Sequence, residues 1–149
     1  ARPKFLAHIP GAEGGAESGG AQMTRVCDGK SLPKGDPNAV YLLRTFGRVA
    51  HEIWNVTDPA APVLVTRIGG NYKDTHKSWW ECDTGIAYLV ANNSKEGWRG
   101  GNHLKIYDLS DPAKPVYIRD FGMEPPRILM LRVHPEVVVR DEIVAVKEG

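Results

Sequence analysis

No window of this sequence approaches the 18 or more consecutive apolar residues of a membrane-spanning helix. It has no excess of one charge either: Lys and Arg are spread along the chain and nearly balanced by acids, for a net charge of +1. Without a basic stripe, phosphate-backbone binding and hence nucleic acid are excluded as the main partner. Cysteine is scarce. Cys27 and Cys82 form no C-x-x-C pair, so neither a zinc finger nor a thioredoxin-type site is indicated. They permit one disulfide, but isolated cysteines are also common as buried small hydrophobes, and the sequence leaves both open. Motifs of the Gly-x-Ser-x-Gly, His-Glu-x-x-His and phosphate-loop kinds are missing, and His51-Glu52 lacks the second histidine of a zincin. What remains is a globular composition, 42% hydrophobic and 25% charged.

The chain does contain an internal repeat. Residues 53–69 read IWNVTDPAAPVLVTRIG, and residues 106–122 read IYDLSDPAKPVYIRDFG, without a gap between the copies' alignment. Each copy opens with a short β-branched and aromatic run that ends at Thr57-Asp58-Pro59 or Ser110-Asp111-Pro112. A hydroxylated residue followed by Asp and Pro favours a tight turn, since the carboxylate accepts backbone N–H bonds while the ring fixes φ. Pro62 or Pro115 then opens a second apolar run, a position where a strand needs no N–H. Each copy therefore predicts two antiparallel strands closing at Gly69 or Gly122. Self-similarity at about 40–50 residues carried by such segments points to a stacked array, in which one unit cannot bury its own faces.

Reading backward, Val40–Leu43 and Ile86–Ala91 predict a further strand ahead of each copy. Aligning Tyr41 with Tyr88 leaves six extra residues in the second unit, assigned to the polar loop 92–101. Residues 76–82 predict another strand, with Asp83-Thr84-Gly85 as its hairpin turn. One unit is then four strands, about 76–82, 86–91, 103–109 and 115–121.

The Asp-Pro-Ala-x-Pro-Val turns at 58–63 and 111–116, each after an aromatic-Asn/Asp-aliphatic strand, resemble the LVIVD repeat family, as does the apolar strand carrying Tyr88. The stretch at 74–85 is similar to uncharacterised bacterial proteins of that group. The resemblance covers roughly residues 36–122. It implies a β-propeller of a secreted, periplasmic or cell-surface bacterial or archaeal protein, and no catalytic motif. The expected fold class is all-β, with about two to three four-stranded antiparallel sheets as blades of an incomplete or open propeller. The segments are 1–35, an N-terminal stretch with a Gly-rich loop; 36–70 and 71–122, the two repeat units; and 123–149, a strand-rich tail or cap.

Since a closed propeller uses 4–8 blades, two or three leave open faces, expected to include Tyr41, Leu43, Tyr88 and Val90. Three readings stand: a piece of a longer propeller, copies that associate, or an open sandwich-like stack. Self-association or missing blades are expected on either of the first two. The opening Ala1 is compatible with removal of a signal peptide or with an internal start. Residues 5–9 are read as a strand or docking segment, and residues 22–27 as a strand of the first unit.

Candidate chemistry centres on Asp74, His76, Trp79, Trp80, Glu81 and Cys82. In a strand His76, Ser78, Trp80 and Cys82 would share one face. Imidazole and thiolate suit Cu, Zn or Fe, and His51 and His103 are further candidates, so a copper-type propeller oxidoreductase with channel-facing histidines is the alternative. The plainer reading makes the histidine a hydrogen-bonded structural residue, the tryptophans core filler, and the cofactor none. Trp98 and Arg99, between glycines, are residue types that recur at binding hot spots; together with Trp79 and Trp80 they are the ligand-binding candidates. The expected function is a non-catalytic binding or scaffold module for a protein or carbohydrate ligand.

Overall fold

The Asp-Pro turns fold alike in both copies. In the first, Asp58 Oδ1 accepts from the Ala60 N–H at 2.9 Å and the Asp58 carbonyl accepts from Ala61 N–H at 3.0 Å. In the second, Asp111 Oδ1 accepts from Ala113 N–H at 3.0 Å and the Asp111 carbonyl from Lys114 N–H at 3.0 Å. Just ahead, Asn55 Oδ1 accepts from both the Thr57 N–H, at 2.9 Å, and the Thr57 hydroxyl, at 2.6 Å. Asp108 Oδ1 does the same for the Ser110 N–H, at 2.8 Å, and the Ser110 hydroxyl. These bonds to Ser110 hold the Asp108 carboxyl below the usual carboxylate range. Side chains that satisfy turn N–H groups stop the strand where the sequence places the stop.

The computed structural model describes residues 2–11, 23–73, 75–91 and 103–123. Its strands are β1 (Arg25–Asp28), β2 (Val40–Phe46), β3 (Ala50–Asn55), β4 (Val63–Gly69), β5 (Ser78–Trp80), β6 (Ile86–Val90), β7 (His103–Asp108) and β8 (Val116–Gly122). They make two antiparallel four-stranded sheets, ordered β1-β2-β3-β4 and β5-β6-β7-β8. Helical structure among the described residues is limited to a 3-10 turn at Gly29–Ser31. The molecule is thus all-β, as the repeat predicts.

Register confirms that the copies are equivalent. Ala50 pairs with Gly69 and His103 with Gly122, and a bulge follows Ile53 in β3 and Ile106 in β7. One expectation is corrected. Tyr41 pairs with Asn55, but its counterpart Asp108 pairs with Ile86, not with Tyr88. Tyr88 therefore lies two residues along from the counterpart of Tyr41, on the equivalent face of its sheet, and the second unit's extra length is greater by two residues. Residue likeness misled the alignment because a slip of two residues keeps every side chain on the same face, so the apolar pattern does not distinguish the two registers.

The first sheet takes its edge strand from β1, while residues 2–11 form no strand and are tied to that sheet at Ile9 and Pro10, where Arg44 donates to the Ile9 carbonyl at 3.1 Å and to the Pro10 carbonyl. The core sits between the sheets, where Leu43, Ile53 and Ile68 of the first meet Trp80, Ala87 and Leu89 of the second. Tyr41 and Leu43, expected on an open face, are buried by that packing. Exposed apolar residues instead include Val26 on β1, Val63 and Leu64 on β4, Trp79 on β5 and Val116, Tyr117, Ile118 and Phe121 on β8.

Candidate functional site

The seam between the sheets gathers most of the polar chemistry. His51 lies on β3, fully buried. Its Nε2 lies 2.9 Å from the Val90 carbonyl and its Nδ1 2.9 Å from Ser78 Oγ, both on the second sheet. A carbonyl only accepts, so Nε2 carries the proton and Nδ1 accepts from the Ser78 hydroxyl. Burial lowers the His51 pKa from 6.5 to about 4, the Val90 carbonyl partly offsetting it. The ring is neutral at pH 7. A serine on a histidine nitrogen is the pairing a nucleophile and base would need, but Ser78 is itself buried in the seam.

Behind it, on the opposite face of the first sheet, Glu52 is fully buried and multiply bonded. Arg44 Nε and Nη2 donate to Oε2 at 3.1 and 2.8 Å, and Trp54 Nε1 donates to the same oxygen at 2.9 Å. Arg67 Nε and Nη2 donate to Oε1 at 2.9 and 2.6 Å. At the equivalent place in the second sheet the charges are reversed, Lys105 Nζ donating to Asp120 at 3.1 Å. Each ion pair spans directly opposed residues of two strands, so both serve as cross-strand ties.

Cys27 and Cys82 are disulfide-bonded, their Cα atoms 5.5 Å apart. The bridge joins β1, the edge strand of the first sheet, to the turn after β5, the edge strand of the second. Beside it the Arg25 guanidinium stacks at 3.8 Å over Trp79, which is 44% exposed. Tyr72 completes the seam, its hydroxyl 3.2 Å from that of Tyr107.

The expected histidine–cysteine face does not form. β5 runs only from Ser78 to Trp80, because Glu81 N–H donates to the Ile86 carbonyl and Gly85 N–H to the Glu81 carbonyl, closing the hairpin early. His76 precedes the strand and is exposed, while Cys82 lies in the turn beyond it. As a disulfide, Cys82 presents no thiolate to a metal. Ser78 and Trp80 do share the buried face, with Trp80 as core. His103 is buried at the start of β7, its carbonyl accepting from Ala91 N–H at 3.3 Å. Among the described residues no three His, Cys, Asp or Glu side chains converge as a metal site. Asp74, Trp98 and Arg99 lie outside the described residues.

The Ser78–His51–Val90 link and the Glu52 cluster were not foreseen. Their partners are 27 and 39 residues from His51 and 8 and 15 from Glu52. The cluster had a readable signal: Arg44, Glu52 and Arg67 interrupt otherwise apolar strands.

No family model and no curated protein matches this chain. Among solved structures it is similar to a functionally unknown protein from Desulfotomaculum acetoxidans, at 16% identity and a TM-score of 0.40 over 70% of this chain; the chain spans 28% of that protein's length.

Proposed function

We propose that this chain is a non-catalytic, propeller-type binding or scaffold module of an exported bacterial protein, its two sheets being successive blades. One observation carries the non-catalytic reading: the His51 ring is enclosed in the seam, with both nitrogens engaged by the second sheet. A base poised for catalysis needs access to substrate and a pKa near the working pH; this one has neither. The bond between Cys27 and Cys82 supports export, since disulfides persist in oxidising compartments. The repeated Asp-Pro turns, with equivalent bulges and registers, support the blade reading and the resemblance to LVIVD repeats. The ligand class is a protein or a carbohydrate.

Two measurements test this. Protein isolated from its own cell under alkylating conditions should carry no free thiol; two alkylated cysteines would remove the argument for export. Metal analysis of the purified protein should find well under one equivalent of Cu, Zn or Fe. A stoichiometric metal lost on His76→Ala would replace the scaffold with a metal-dependent oxidoreductase.

A further inference from the structure

The two sheets have equivalent registers, so each position on one has a counterpart on the other. The face of the first sheet that the second one covers is identified by His51, which bonds to Ser78 and Val90. Tyr41, Leu43, Ile53 and Ile68 share that face, since residues opposed across strands or two apart along one lie on the same side. Their counterparts on the second sheet are Ile86, Tyr88, Ile106 and Phe121, with Leu104 in the place of His51. All are apolar. They face away from the first sheet, because Trp80, Ala87 and Leu89 point into the shared core. The contrast in burial is large at the outer strand: Ile68 is 4% exposed, and its counterpart Phe121 is 63% exposed.

The outer face of the first sheet has the complementary history. Its Val26, Leu42, Trp54 and Leu64 correspond in register to Trp80, Ala87, Tyr107 and Tyr117, on the face with which the second sheet covers the first. Val26 is 55% exposed and Leu64 40%, so residues 2–11 leave both open. One molecule therefore presents both halves of the contact that already joins its own sheets.

From this we infer that the outer face of β5–β8 docks on the outer face of β1–β4 of a second copy of the chain, head to tail, repeating the internal seam. Head-to-tail contacts close into rings when the rotation allows, and two copies would bring four sheets, the smallest number in the 4–8 range of propellers. That last step rests on the propeller reading; the pairing of faces does not.

The test is light scattering coupled to size exclusion, over a concentration series of the full oxidised chain. The chain should gain mass with concentration. Phe121→Glu and Val26→Glu, both at exposed edge-strand positions, should each weaken association at least tenfold while keeping the wild-type unfolding temperature. Mixed, they should restore a one-to-one dimer, because one retains the face that the other has lost. Phe121→Lys and Val26→Lys repeat the test with the opposite charge. A wild-type chain that stays monomeric overturns the inference. So does association lost with Phe121→Glu but unaffected by Val26→Glu, which would mean like face on like face, and so does association that begins only on deletion of residues 124–149. None of these outcomes bears on the thiol or metal tests of the proposed function.

Discussion

At His51 burial and hydrogen bonding fix one protonation state. The folded chain holds the ring neutral down to about pH 4, whereas the unfolded chain protonates it near 6.5. Below pH 6.5 the unfolded state binds more protons, so stability is complete above that value and falls as the pH drops toward 4. The two values imply a loss of about 3 kcal/mol across the window. Urea unfolding at pH 7.5, 5.5 and 4.5 should show this slope, and His51→Gln should flatten it; a wild-type chain as stable at 4.5 as at 7.5 contradicts the assignment. Glu52 makes a second prediction at this scale. Removing one partner of a buried ion pair leaves the other uncompensated, so Glu52→Ala should cost about 3–5 kcal/mol, read as a lower urea midpoint. A cost under 1 kcal/mol would mean that Arg44 finds other acceptors.

At the scale of elements the turns carry the prediction. Because Thr57 and Ser110 make the same bonds to Asn55 and Asp108, and the Asp58 and Asp111 turns close alike, the turns should be interchangeable. Thr57→Ser with Ala61→Lys, which writes the second turn into the first sheet, should change stability by less than about 0.5 kcal/mol, whereas Asp58→Ala should cost about 1 kcal/mol. Equal costs would show that turn chemistry does not hold the hairpin. These hairpins were legible in the sequence because their signal is local: proline, aspartate and a hydroxyl within a few residues. The strands β5 and β1 were less so. β5 is cut short by its own turn, and β1 is four residues long between a Gly-rich stretch and a 3-10 turn.

For the whole molecule, what joins the sheets was the least legible part. Cys27 and Cys82 are separated by 55 residues, and nothing local says which strands abut. Aligning β1 with β5 by register would have helped, since Cys27 then falls opposite Glu81, one residue from Cys82. Candidate site residues fared similarly. Trp80 and His51 are packed against neighbours from the other sheet, and no periodicity within one strand reports that. Closing a loop of this length stabilises by about 4 kcal/mol in the chain-entropy account. Reduction, or Cys27→Ala with Cys82→Ala, should lower the melting temperature by roughly 8–16 °C for a chain of this size. An unchanged melting temperature would show that packing alone holds the sheets together.

The central claim is that residues 53–69 and 106–122 build equivalent strands of two antiparallel sheets. Cross-strand proton contacts by NMR test it most directly, on the associating chain or on Phe121→Glu. The account predicts the Leu43–Ile53–Thr66 alignment in the first sheet and the Tyr88–Ile106–Arg119 alignment in the second, with the bulge directly after Ile53 and Ile106. Helical contacts in either segment, or a register in which Tyr88 rather than Ile86 opposes Asp108, would contradict it.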